Sequence, residues 1–246
     1  MDALHLFLIF LAGIVVGFIN VLAAGGSFLT LAVLIAFGLP PTVANGTNRV
    51  GLLIQNSFAS LKFYKLKLLD YKFVFIVAPS ALVGSLVGSY IATHISDELL
   101  KKIIAVLMVL ISLITIYKPQ QFVKKSEYSQ KKWILMVFVF FLIGLYGGFI
   151  QAGVGFFIIA ASIWGGFSMV EANAIKVLTI MLYTIAVLPM FIFANQVNFL
   201  VGVVLGLGSI IGARLAIGIS IKKGDKFIRV ALLTLLFVFA IKLMFF

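Results

Sequence analysis

The sequence predicts an all-α polytopic membrane protein with about eight hydrophobic spans, and three observations predict this fold class. Of the 246 residues, 63% are hydrophobic and 11% are charged, and the mean hydropathy is +1.25, whereas soluble domains are about half apolar. Uncharged runs longer than the roughly 18 to 20 residues that cross a bilayer as a helix recur, and the alternating segments of a membrane β-barrel do not. The basic residues behind the net charge of +12 lie in short clusters between these runs, as in cytoplasmic loops.

The spans follow one another with short polar connections. The amino-terminal stretch lacks the positive region of a secretory signal, so we expect it to be retained as the first helix. The one long polar stretch, residues 117–133, holds five lysines and a single glutamate. It predicts an amino-terminal membrane repeat (1–117), a basic cytoplasmic linker (118–132) and a carboxy-terminal membrane repeat (133–246). The expected spans are 4–37, 46–63, 73–95, 99–117, 133–164, 171–193, 197–220 and 227–246.

The two halves carry matching blocks in the same order, which predicts a duplicated half. The matched pairs are "FLAGIVVGFIN" (10–20) with "FLIGLYGGFIQ" (141–151), "GLPPTVANGTNR" (38–49) with "GFSMVEANAIKV" (166–177), and "GSLVGSYIA" (84–92) with "GSIIGARLA" (208–216).

Loop charge predicts that the repeats are inverted. Four lysines between 62 and 72 mark the loop after the second span as cytoplasmic, and 222–229 is basic as well. The equivalent loop of the second half, 193–198, has no charge. Equivalent loops on opposite sides require an odd number of crossings in each half. We therefore expect a broken or re-entrant element within the first span of each half.

Length agrees with such a break. Residues 3–48 and 133–170 contain no charged residue, and at 1.5 Å per residue both runs exceed a hydrocarbon core about 30 Å thick. The glycines of "NVLAAGGSFLT" (20–30) and "QAGVG" (151–155) are the expected break points. Non-helical backbone at that depth must be buried or line a cavity. The alternative is that these glycines only let helices pack closely.

A broken helix exposes backbone N–H groups that attract anions, which predicts an anion site at the breaks. Asn45 or Thr47 is expected to cap the helix after the first break, with Arg49 near its mouth. The second half offers Lys176 in the corresponding region, and the alternative for both cations is snorkelling to an interface. The expected substrate-binding residues are Asn20, Gly25, Gly26, Ser27, Asn45, Thr47, Asn48, Arg49, Gln151, Gly153, Gly155, Asn173 and Lys176.

The acidic residues point to an anionic rather than a cationic substrate. Six of the seven lie in or beside termini and loops, whereas cation carriers and proton relays usually need intramembrane carboxylates. The seventh, Glu171, is expected to cap a helix. An inside-negative potential favours outward movement of an anion, so export needs no coupling ion. Arg214 lies deep in a span, and its role is left open between a carbonyl, a substrate and a lipid phosphate.

Other function classes find little support in the sequence. The chain has no cysteine, its two histidines are far apart, and no convergent catalytic set is evident. We therefore expect no enzyme activity, no metal and no cofactor. Basic clusters between apolar spans do not indicate nucleic-acid binding. A membrane scaffold or assembly protein and an ion-coupled importer using Glu171 remain the alternatives to an anion permease.

Four features of the sequence resemble one known family. They are the glycine-rich first span, "GLPPTVANGTNR", the pair "GSLVGSYIA" and "GSIIGARLA", and the duplication around a basic linker. The family that they resemble is the sulfite exporter TauE/SafE family, also described as four-toluene-sulfonate uptake permeases. The family pattern A-x-G-T-N matches Ala44, Gly46, Thr47 and Asn48, and the second half departs from it with Lys176. The resemblance implies a multi-pass inner-membrane permease for small sulfur-containing anions such as sulfite, sulfoacetate or other organosulfonates. Whether it forms a homodimer is left open.

Overall fold

The computed structural model is all-helical over the residues that it describes, which are 3–23, 26–117 and 130–245, with side chains described for 3–22, 26–107 and 134–222. The predicted all-α membrane fold is confirmed. Within the described residues, four stretches are long and apolar enough to span a bilayer: Ala3–Leu22, Tyr71–His94, Met169–Phe193 and Phe199–Lys222. The helices are α1 (Ala3–Ala23), α2 (Gly26–Ala36), α3 (Pro41–Lys65), α4 (Tyr71–His94), α5 (Asp97–Tyr117), α6 (Gln130–Phe149), α7 (Val154–Trp164), α8 (Met169–Phe193) and α9 (Phe199–Phe245).

Each predicted leading span consists of two helices. The first span holds α1 and α2, which are separated by residues 24–25 outside the described part. In the second half, α6 ends at Phe149 and α7 begins at Val154. Gly153 takes a φ of 74° there, a left-handed conformation that glycine adopts without a steric penalty. Tyr146 Oη donates to Ala152 O at 2.7 Å, which ties this break to the last turn of α6.

The two halves meet along two glycine seams, one between α1 and α9 and one between α4 and α6. A Cβ added to Gly17 would lie 2.2 Å from Ser209 O, and one added to Gly148 would lie 2.0 Å from Ser85 O. These backbones therefore touch directly, as small residues permit in membrane helices. The same closeness holds for the matched glycines Gly13 and Gly144, Gly84 and Gly208, and Gly88 and Gly212.

Helices α3 and α8 pack against each other in antiparallel directions. At one end, a Cβ added to Gly46 would lie 3.1 Å from the Phe191 ring, near the end of α8. At the other end, Ala59 and Phe63 share an apolar cluster with Val177 near the start of α8. Eight polar residues of α3 between Thr42 and Ser60 are buried inside the protein, which removes them from lipid, whereas Lys62 and Lys65 near the end of the helix are exposed.

The structure corrects two details of the prediction and confirms a third. The last two predicted spans form one helix, α9, because the expected loop 222–229 has no proline and its one glycine costs only about 1 kcal/mol. Asn45 and Thr47 are not caps, because α3 already begins at Pro41, where proline is favoured. Glu171 does cap its helix, in a reciprocal capping box with Ser168.

Part of the predicted linker is not covered. Residues 118–129 lie outside the described residues, and 130–132 form the start of α6.

Candidate functional site

Arg49 is fully buried, 0% exposed, in the third turn of α3. Its guanidinium donates to Gly147 O at 3.2 Å and to Gly148 O, both in the last turn of α6, and to Gln151 Oε1 at 3.0 Å. The Phe191 ring lies 4.2 Å from the guanidinium carbon. The last carbonyls of a helix have no partner within it and carry partial negative charge, so a cation is stabilised there.

Two neighbours complete this group of side chains. Asn45, one turn before Arg49, donates from Nδ2 to Phe149 O at 2.9 Å. Gln151 donates from Nε2 to the Tyr183 hydroxyl at 2.8 Å. We name Asn45, Arg49, Gln151 and Tyr183 the Arg49 cluster. It joins α3 of the first half to the α6–α7 break and α8 of the second half.

A second group forms at the end of α1. Lys176, 2% exposed, donates from Nζ to Asn20 O at 2.7 Å, and Asn173 donates from Nδ2 to Val21 O. Asn20 donates to Gln55 Oε1 at 3.3 Å and accepts from the Ser27 hydroxyl at 3.3 Å. We name Asn20, Ser27, Gln55, Asn173 and Lys176 the Lys176 cluster. It joins α8 of the second half to the α1–α2 break and α3 of the first.

The two clusters draw on corresponding regions of the matched blocks, with their asparagines at aligned positions and their cations offset by one residue. The alignment of 38–49 with 166–177, continued without gaps along α3 and α8, gives four pairs of buried polar residues. In each cluster, an asparagine and a cation from one half bind consecutive carbonyls at the end of the leading helix of the other half. The four aligned pairs of buried polar residues are Asn45 with Asn173, Asn48 with Lys176, Gln55 with Tyr183, and Asn56 with Thr184.

Most of the predicted site residues take part in these clusters. Asn20, Ser27, Asn45, Arg49, Gln151, Asn173 and Lys176 all belong to them. Neither cation snorkels, since both side chains are buried. Gly25 lies outside the described residues.

The remaining predicted residues have other positions. Gly26 leaves room for Asn20, because an added Cβ would lie 2.8 Å from that side chain. Thr47 accepts from the backbone N–H of Asn198 at 2.9 Å and so holds the start of α9 rather than the cluster. Gly153 forms the turn of the break, and Gly155 is buried in the first turn of α7. Asn48 is buried, and within the described residues neither atom of its amide has a hydrogen-bond partner.

Gln55 and Tyr183 were not predicted from the sequence, nor were Asn56 and Thr184. A signal for them exists, because they continue the helical face of Asn45 and Asn173 at intervals of three and four residues. Extending the matched block past Arg49 would have found all four.

Each of the two clusters contains a cation and no carboxylate. Across the described part of the chain, no carboxylate is bonded to Arg49 or Lys176, and no group of three histidine or acidic residues could hold a metal ion. The partners of the two cations in the described structure are helix-terminal carbonyls and, for Arg49, also the neutral Gln151 side chain and the Phe191 ring.

The comparison with known families gives a match over nearly the whole chain. Residues 9–243 match the model of the family described as sulfite exporter TauE/SafE. The chain belongs to this family. It is therefore a multi-pass membrane protein of a transporter family.

Relatives of this TauE/SafE chain carry consistent names. It is 27% identical to a "Probable membrane transporter protein ORF9" of Sinorhizobium sp, over 98% of this chain and 94% of the relative. It is 27% identical to a "Probable membrane transporter protein" of Haemophilus influenzae, over 97% and 94%. It is 26% identical to the "Probable membrane transporter protein YfcA" of Escherichia coli K12, over 96% and 88%. No solved structure matches the chain.

The residues of α3 that match the TauE/SafE pattern A-x-G-T-N have two roles in this structure. Gly46 and Thr47 pack α3 against the turn that leads into α9. Asn48 lies beside Arg49 with its amide unpartnered among the described residues. The pattern therefore places one buried amide directly before Arg49 in α3.

Proposed function

We propose that the protein is a permease that moves a small sulfur-containing anion, such as sulfite, sulfoacetate or another organosulfonate, out of the cell across the inner membrane. One observation carries the proposal. Two buried cations without a carboxylate partner in the described chain lie where the two halves meet.

The charge of the site suits a monovalent anion. A helix C-terminus carries the equivalent of about half a negative charge, and each cation faces one such terminus. About one net positive charge therefore remains between the two clusters. An uncompensated charge in a low-dielectric interior is costly, so binding of an anion is favoured.

The way the halves are joined suits alternating access. Each cation belongs to one half and binds the broken helix of the other, so a shift between the halves changes both sets of bonds. The antiparallel packing of α3 and α8 supports the proposal that the halves form an inverted-topology repeat, with the α3–α4 lysines facing the cytoplasm.

Proteoliposomes test the proposal. The intact chain is assayed for flux of sulfite, sulfate, thiosulfate, sulfoacetate and taurine, with and without an imposed potential. An inside-negative potential is expected to accelerate efflux of the transported anions. Flux of every anion at the level of protein-free liposomes would overturn the proposal.

The ion-coupled importer alternative depends on Glu171. Its carboxylate accepts from the backbone N–H of Ser168 at 2.8 Å and so serves the start of α8. Unchanged anion flux in Glu171→Gln, with unchanged dependence on ion gradients, is the expected result.

A further inference from the structure

Asn45 and Asn173 each bury one amide oxygen that has no hydrogen-bond partner among the described residues. In both side chains Nδ2 donates to a backbone carbonyl, Phe149 O for Asn45 and Val21 O for Asn173. This bond fixes the orientation of the amide, so the atom left over is an acceptor. Buried acceptors without partners are rare and costly. A matched pair at equivalent positions of the two halves therefore indicates a bound ligand.

Each of these oxygens stands close along its helix to a cation with unused donors. Arg49 lies one turn after Asn45, and its Nε is buried without a partner among the described residues. Lys176 lies three residues after Asn173, and its one hydrogen bond in the described structure goes to Asn20 O, although an ammonium has three donors. Each cluster therefore contains a cationic hydrogen-bond donor and a neutral hydrogen-bond acceptor that have no partner among the described residues.

A fully deprotonated oxyanion satisfies only half of this arrangement. Its oxygens accept from Arg49 or Lys176, but they cannot donate to an amide oxygen and are repelled by it. A ligand with an O–H or N–H group satisfies both atoms at once.

We infer that the site selects monovalent anions that carry a hydrogen-bond donor of their own, such as hydrogensulfite or a hydroxyl-bearing sulfonate. The inference rests on the proposed function, since it specifies the substrate of the same site. The anionic oxygens accept from the cation, and the ligand's hydroxyl donates to Asn45 Oδ1 or Asn173 Oδ1. A site built to pair with a substrate hydroxyl discriminates strongly against an analogue that lacks it.

Isethionate and ethanesulfonate test the inference, because they have the same charge and sulfonate group and differ by one hydroxyl. Each competes against sulfite flux in proteoliposomes that contain the intact chain. Isethionate is expected to compete at least about tenfold more strongly. Asn45→Ala and Asn173→Ala are each expected to reduce this ratio. Ser80→Ala, which removes a hydroxyl bonded to Val77 O of its own helix, is the control and should retain it.

The outcomes separate the inference from the proposed function. Equal competition by the two sulfonates overturns the inference, because it would mean that water satisfies the two amide oxygens. Stronger competition by ethanesulfonate, or no competition by either sulfonate, overturns it as well. In all three cases sulfite flux still supports an anion permease. Loss of flux for every anion would contradict the permease instead. If the asparagine variants do not insert, the ratio in the unmodified chain decides.

Discussion

Arg49 and Lys176 occupy adjacent rather than identical positions of the matched blocks, since Arg49 aligns with Val177 and Lys176 with Asn48. Their bonding differs accordingly. The planar guanidinium of Arg49 binds two carbonyls and Gln151, whereas Lys176 makes one bond to a carbonyl in the described structure. Arginine suits such multiple contacts, and lysine acts as a compact point charge. Arg49 therefore contributes more to holding the halves together, and each cation keeps two donors for a ligand in the described structure, two of five in Arg49 and two of three in Lys176.

Replacing each cation with glutamine is expected to separate these contributions. Lys176→Gln should weaken anion binding by about tenfold or more, because a charged hydrogen bond is lost, with a small change in thermal stability. Arg49→Gln should lower both affinity and stability. The affinity is measured from flux kinetics, and the stability is measured as the unfolding temperature in detergent.

Lys65→Gln is the matched control, because Lys65 is exposed at the end of α3 and far along the helix from Arg49. Its affinity and stability should stay unchanged. Unaltered affinity in both Arg49→Gln and Lys176→Gln would contradict the assigned site.

The sequence predicts which polar residues matter better than it predicts their partners. Asn20, Arg49 and Lys176 stand out as polar residues in apolar stretches. That Arg49 binds the end of α6, and Lys176 the end of α1, depends on contacts between residues about one hundred or more positions apart. Local periodicity does not fix such pairings: the helical spacing and the extended block alignment single out Gln55 and Tyr183 as buried polar positions, but not the partners that they bind.

At the scale of helices, glycine has two separate uses. Gly144 and its matched partners allow backbone contact between the halves, so close packing is the right account for them. Gly153 allows the left-handed turn of the α6–α7 break. Run length and loop charge together predicted the broken spans. They wrongly divided α9 into two spans joined by a loop at 222–229, because a basic segment without proline is compatible with a helix.

Gly144→Ala tests the α4–α6 seam. The new Cβ would lie 2.0 Å from Ala81 O, a backbone atom, so the helices must separate. We expect a loss of about 1 to 3 kcal/mol in the free energy of unfolding. At Gly218 an added Cβ meets nothing within 4 Å, so Gly218→Ala should retain or slightly raise stability. Equal stability of the two variants in thermal unfolding would refute the seam.

For the whole molecule, the antiparallel course of α3 and α8 predicts that their following turns face opposite sides of the membrane. The chain has no cysteine, so single cysteines can be introduced without a background. Lys65→Cys and Ala194→Cys place one at each of these exposed helix ends. A membrane-impermeant maleimide applied to intact cells should label Ala194→Cys and reach Lys65→Cys only after lysis. Labelling of both from one side would rule out inverted halves.

The most direct test of the permease itself is the distribution of a monovalent sulfonate, such as isethionate, across proteoliposomes clamped at 100 mV, inside negative. Such a potential is worth about 2.3 kcal/mol per charge. An uncoupled anion permease should therefore drive the outside-to-inside ratio towards about 50, with Lys176→Gln approaching the same ratio more slowly. A ratio that stays at the value for protein-free liposomes would contradict the account.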